Sequence, residues 1–224
     1  MNYIENIYIC IAAPIIVAVL SLKNGRRRMM IFLLAGMTAC ILSSYISTFF
    51  VIVYNADRFE ATWEITPLIE EIVKFLPILF YMLVFEPDNK EEIAGSVMLV
   101  AVGFATFENI CYLSANDASQ MLLLLIRGFG TGAMHVVCGV LVAIGTVYLW
   151  DEFWLRFAGT AGLITFSITF HAIYNILVSQ EGFVSYIGYL IPMLTATLIF
   201  LLRRTVTKNT VLQSRRHMDH VEED

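Results

Sequence analysis

The sequence predicts an all-α fold, a polytopic membrane bundle of about seven transmembrane helices, and three observations predict it. Of 224 residues, 58% are hydrophobic and only 15% charged, and the mean hydropathy is +0.75, far from the composition of a soluble domain. Apolar runs of roughly 20 residues, the length that crosses ~30 Å of hydrocarbon, recur from end to end. The basic residues fall one-sidedly in the connections between them, as they do when one side of a membrane retains them.

In order, the runs lie at 4–22, 29–54, 67–85, 93–113, 120–150, 157–178 and 183–202. The first has no basic residue before it and a basic cluster after it, which suits a reverse anchor better than a cleaved signal peptide. The second carries no ionisable residue in its interior, and Ser43, Ser44, Ser47 and Thr48 suit hydrogen bonding back to the helix or across to a neighbour. The loop at 55–66 holds Trp63 as an interfacial anchor, and the polar loop at 86–92 starts Glu-Pro-Asp, a clean stop.

With the N-terminus outside, the inner connections and tail hold Lys23, Arg26, Arg27, Arg28, Lys90, Arg156, Arg203, Arg204, Lys208, Arg215 and Arg216, and the outer loops only Arg58. The expected orientation is therefore N-terminus outside and C-terminus cytoplasmic. Residues 1–202 read as one integral membrane domain, and 203–224 as a charged cytoplasmic tail without an apolar stripe, expected to be mobile.

Partners and cysteine chemistry are bounded by the same reading. The formal net charge of -5 is spread over short loops and the tail. No basic face with interleaved aromatics is present, which argues against nucleic acid as a partner. Cys10, Cys40, Cys111 and Cys138 fall inside apolar runs without a paired motif and read as small hydrophobes. His217 and His220 read as solvated tail residues.

The ionisable residues left inside spans are Glu70, Glu71, Lys74, Glu108, Arg127, His135 and His171, all in the third to sixth runs. Each charge in hydrocarbon costs about 2.5–3.5 kcal/mol on insertion scales, so a set of them needs a reason. At ~1.5 Å per residue Glu70 lies ~5 Å, Glu108 ~8 Å and His171 ~10 Å from the outer ends of their runs, one shallow level. His135 would lie ~22 Å from Gln120, but the fifth run is ~46 Å long. Arg127-Gly128-Phe129-Gly130-Thr131-Gly132 interrupts that run with glycines, so His135 reaches the level of the others if the excess length lies on the outer side or if the helix breaks at the glycines, and an irregular or tilted entry is expected.

Helical spacing refines the set, because positions four apart share a face. Glu70 shares one with Lys74 as a candidate pair, Phe104 with Glu108, and His171 with Asn175. Glu71 is turned by ~100° from Glu70 and can meet another neighbour. Adjacent carboxylates in apolar surroundings repel, which favours holding one as a proton acceptor or donor. Arg127 can counter the carboxylates, bind a substrate carbonyl or reach to the outer surface.

Glu70-Glu71-x-x-Lys74, Phe104-x-x-x-Glu108-Asn109, His135 and His171-x-x-x-Asn175, in that order on successive spans, resemble the PrsW family of bacterial intramembrane proteases. That family is related to the CAAX prenyl endopeptidases and the bacteriocin-immunity proteases. The resemblance covers residues 67–178, and the Lys74 spacing and the Glu108-Asn109 element favour PrsW over the CAAX branch. It implies hydrolysis of a peptide bond of a membrane-anchored substrate near the extracytoplasmic side, as in site-one cleavage of an anti-sigma factor that leads to sigma factor activation. It also implies a multi-pass protein of a bacterial cell membrane.

Amide hydrolysis needs an activated water, a stabiliser for the tetrahedral oxyanion and a proton for the leaving amine. Glu70 or Glu71 would serve as general base, His135 would orient water or shuttle a proton, and His171 with Asn175 would donate to the oxyanion. Glu108 would be a second carboxylate or would fix an imidazole tautomer. A zinc version uses Glu108, His135 and His171 as ligands with Glu70 or Glu71 as base. No His-Glu-x-x-His is present, so the residues leave both routes open. Lys74, Asn109 and Arg127 support the site in either route. A CAAX-type or bacteriocin-processing endopeptidase is one alternative. A proton-coupled transporter is another, although it would place such groups at the midplane with access from both sides.

Overall fold

The computed structural model describes residues 3–116 and 121–222, with side chains through Leu202. Gln120, the expected start of the fifth span, and the side chains of the tail, His217 and His220 included, lie outside the described residues. Every described element is helical. The chain runs through α1 (Ile4–Ser21), α2 (Asn24–Tyr54), a short α3 (Arg58–Glu60), α4 (Thr66–Phe85), α5 (Lys90–Ala115), α6 (Met121–Ile144), α7 (Phe153–Val178) and α8 (Phe183–Glu222).

Six of the seven expected spans are long and apolar enough to cross a membrane. The remaining one, α4, has 20 residues and a length of ~30 Å, but it carries Glu70, Glu71 and Lys74. It nevertheless runs the depth of the bundle. Near its start Val73 packs with Met37, Cys40 and Phe107, and near its end Ile78 and Met82 pack with Phe32, Val97 and Val147. Its charged side chains are thus covered by neighbouring helices instead of lipid.

Local chemistry sets the boundaries. Asn89 caps α5 by accepting hydrogen bonds from the backbone N–H groups of Glu91 and Glu92 at 3.0 and 3.2 Å. Glu86 ends α4 in the left-handed region at φ 44°, and Pro87 follows, which stops continuation. The 55–66 segment, expected as a loop, is helical for most of its length. Asp57 and Glu60 form a capping box, and a π-helical turn at Ala61–Ile65 leads straight into α4.

One other expectation is corrected: α6 passes through Gly128, Gly130 and Gly132 without interruption, and its irregularity is a π-helical turn at the other end, Gly145–Leu149. The backbone of α8 continues as helix to Glu222.

α2 and α5 make the closest crossing. A Cβ on Gly36 would meet the Val100 carbonyl oxygen at 2.1 Å, and one on Gly103 the Leu33 carbonyl oxygen at 2.1 Å. Only glycine lets the two backbones approach so closely. That crossing fixes the α5 face from which Phe104, Phe107 and Glu108 project.

Candidate active site

α4 brings Glu71 and Lys74 to the middle of the bundle, where both are almost fully buried, with relative exposures of 2% and 7%. The Lys74 Nζ donates to Glu71 Oε1 at 2.5 Å and to His135 Nδ1 at 2.8 Å, and lies 4.7 Å from the centre of the Phe104 ring. The expected partner was Glu70, one turn before. The three-residue spacing wins because Glu71 faces inward with Lys74, and burial of an ammonium requires a paired carboxylate.

An ammonium has no lone pair to offer, so His135 Nδ1 accepts and the ring proton sits on Nε2. That Nε2–H donates to Glu108 Oε2 at 2.5 Å. Opposite, His171 Nδ1 lies 2.7 Å from Glu71 Oε1. A carboxylate accepts only, so Nδ1–H donates and the neutral ring presents the Nε2 lone pair elsewhere. Nε2 faces Glu70 Oε2 at 3.7 Å. The two imidazoles meet edge to face, with centroids 5.2 Å apart.

Glu108 is held from its far side. Arg127 Nη2 donates to Glu108 Oε1 at 3.3 Å, its Nη1 donates to Asn109 Oδ1, and the guanidinium stacks 3.7 Å from the centre of the Tyr112 ring. Of the roles open to Arg127, the structure gives it the carboxylate.

The depths also agree. His135 lies ~21 Å from the start of α6, whereas Glu108 and His171 lie only ~10 Å from the ends of α5 and α7. α6 therefore overhangs its neighbours at that end, and an uninterrupted helix delivers His135 to the shared level.

Asn175 stands apart from this cluster. Its Nδ2 donates to the Thr62 carbonyl at 3.0 Å, so the amide secures the π-helical turn ahead of α4 and is not aimed with His171 at one point. Spacing places the two on one face but does not say which element lies opposite each. Two contributors that sequence reasoning missed are Thr131 and Tyr174, whose hydroxyls pair at 2.7 Å in the interior. Both looked like ordinary residues of apolar helices, and only the α6–α7 packing joins them.

The ligand geometry points to a different carboxylate from the one expected. Glu70, His135 and His171 each offer one ligand atom, and these atoms lie within 4.8 Å of one another. Glu70 Oε2 is buried with no hydrogen-bond partner, a costly state for a carboxylate oxygen and one that a cation relieves. Two imidazoles and a carboxylate suit zinc, and each histidine's other nitrogen is already engaged, Nδ1 of His171 by Glu71 and Nδ1 of His135 by Lys74. A ring N–H donated to a carboxylate, as from His171 Nδ1 to Glu71, is the kind of bond that orients a ligating histidine. His171 fits the role as it stands, and His135 fits it once its ring proton moves from Nε2 to Nδ1, with Lys74 turning its N–H away from Nδ1 and Nε2 leaving Glu108.

Acids and imidazoles gathered at this density inside a membrane bundle mark a hydrolytic or proton-handling membrane protein. The model of the PrsW family, described as intramembrane metalloproteases, matches residues 25–202, and the chain belongs to that family. The match extends beyond the 67–178 stretch that carries the motifs, taking in α2 and the first half of α8. No curated protein and no solved structure matches the chain significantly.

Proposed function

We propose that the protein hydrolyses a peptide bond of a single-span membrane protein, with Glu70, His135 and His171 as zinc ligands and Glu108 as general base. The observation that carries this reading is the convergence of Glu70, Glu71, Lys74, Glu108, His135 and His171, from four helices, on one partly accessible centre. Membership of an intramembrane metalloprotease family supports it.

Glu71 and Lys74 act by orientation. Glu71 accepts a hydrogen bond from His171 Nδ1–H and turns Nε2 to the centre, and Lys74 pairs with Glu71 beside His135. With a metal held by Glu70, His135 and His171, the His135 ring proton would sit on Nδ1, and Glu108, no longer bonded to Nε2, would be free to accept a proton from the attacking water. Arg127 keeps that carboxylate in place, and Glu108 returns the proton to the leaving amine as the tetrahedral species collapses. A bound zinc supplies the Lewis acid for the scissile carbonyl and the water.

Towards the other end of the bundle, Ile78, Val97, Val100 and Val142 belong to an apolar cluster and line a cavity beside Lys74 of about 20 Å3, room for about one water. So narrow an apolar interior favours hydrolysis over a proton-coupled transporter, which needs access from both sides. The charge bias of the loops favours an N-terminus outside and a cytoplasmic C-terminus, which puts the centre towards the extracytoplasmic face of a bacterial cell membrane. The resemblance of the motif set to PrsW proteases supports an anti-sigma factor as substrate, cut at site one.

The test is cleavage of a single-span model substrate by purified protein in nanodiscs, with bound zinc quantified and a chelator arm. Cleavage that disappears on zinc removal and returns on zinc addition supports the reading. Cleavage that is indifferent to zinc removes the metal from it.

A further inference from the structure

Between α2, α4 and α5 a cleft of about 320 Å3 reaches Glu70 and Glu108. Ser44, Ser47 and Thr48 on α2 give it a polar wall. Two hydroxyls of this stretch bond back to their own helix: Ser43 Oγ donates to the Cys40 carbonyl at 2.9 Å and Thr48 Oγ1 to the Ser44 carbonyl at 2.8 Å. Ser47 is different. It is 7% exposed, it lines the cleft, and its Oγ has no hydrogen-bond partner. Glu70 Oε2, on the opposite wall, is likewise buried without one.

We propose that this cleft binds an extended, unwound segment of the substrate and that Ser47 is a positioning residue that donates a hydrogen bond to its backbone. The inference rests on the protease reading and adds to it the entry route and the conformation taken in. The chemistry favours an unwound chain. A transmembrane helix has its carbonyls satisfied internally and offers nothing to an unpartnered hydroxyl, whereas an unwound segment has free carbonyls that must find donors away from water. A buried hydroxyl left unsatisfied destabilises the free protein, and the substrate backbone removes that penalty.

Two synthetic Leu-rich single-span peptides test this, one with a Gly-Pro-Gly interruption near its outer end and one continuous. The reporter is Thr48→Cys, at an exposed position on the cleft wall, and the readout is its rate of modification by N-ethylmaleimide in nanodiscs. The interrupted peptide is expected to slow modification severalfold and the continuous one to leave it unchanged. Equal protection by both, or none by either, overturns the proposal. Cleavage of the interrupted peptide is followed in parallel. Cleavage without protection overturns the cleft and leaves the protease reading standing; protection without cleavage supports the cleft and counts against the protease reading. In a second arm, Ser47→Ala is expected to raise KM about tenfold with kcat unchanged, the effect of one lost hydrogen bond, and Ser47→Thr to restore it. The thermal midpoint of Ser47→Ala is expected to stay level or rise, because the removed hydroxyl was unsatisfied. A fall in stability with KM unchanged contradicts the assignment.

Discussion

Two neighbouring carboxylates on α4 have opposite surroundings, and their substitutions should separate accordingly. Glu71 is paired with Lys74 and His171. Replacing it by glutamine leaves a buried ammonium without its counter-ion, and the expected cost is about 3 kcal/mol of folding stability. Denaturant or thermal unfolding in detergent measures it. Glu70 Oε2 has no hydrogen-bond partner, so Glu70→Gln is expected to unfold no earlier than zinc-free wild type while abolishing zinc binding. Glu108→Gln is expected to keep zinc and lose about 10^2- to 10^4-fold in cleavage rate, the range for a general base. The residues themselves were legible in the sequence because ionisable groups are rare in apolar runs. Their pairing was not: Lys74 can reach back three residues or four, and only packing against His135 and His171 selects Glu71. Asn175 was misplaced for the same reason, since the π-helical turn opposite it leaves no trace in spacing.

At the level of elements, hydropathy located all seven runs, including the charged one that became α4. It could not foresee that α6 stays regular through its glycines. Gly130 accommodates Tyr189 of α8, whose side chain a Cβ would meet at 2.8 Å, and this is a packing use of glycine, not a break. The crossing of α2 over α5 is the joint on which the cleft and Glu108 depend. Gly103→Val would drive side-chain atoms into the Leu33 backbone, where not even a Cβ fits. It is expected to destabilise by more than the 1–3 kcal/mol typical of overpacking, read as a lowered thermal midpoint. Asn175→Ala removes the bond that anchors the turn before α4. The expected result is a loss of about 1 kcal/mol together with faster amide exchange over Ala61–Ile65.

For the whole molecule, the sequence fixes the class of bundle but not which helices touch. Composition carries burial in lipid, whereas the meeting of α4, α5, α6 and α7 around one centre arises from long-range packing. Orientation is a property of chain and membrane together. A thiol-reactive, membrane-impermeant reagent should modify a cysteine introduced at Arg58 from outside intact cells, and one introduced at Asp88 only after permeabilisation. The reverse pattern would place the centre towards the cytoplasm and exclude an extracytoplasmic cut.

The central claim is that Glu70, His135 and His171 hold a zinc ion on which Glu108 depends as base. The most direct measurement is cleavage rate together with zinc content for wild type, Glu70→Gln and Glu108→Gln, each purified in nanodiscs. The account predicts zinc and cleavage in wild type, zinc without cleavage in Glu108→Gln, and neither in Glu70→Gln. Wild-type cleavage by Glu70→Gln, or undiminished cleavage by zinc-free wild type, would contradict it.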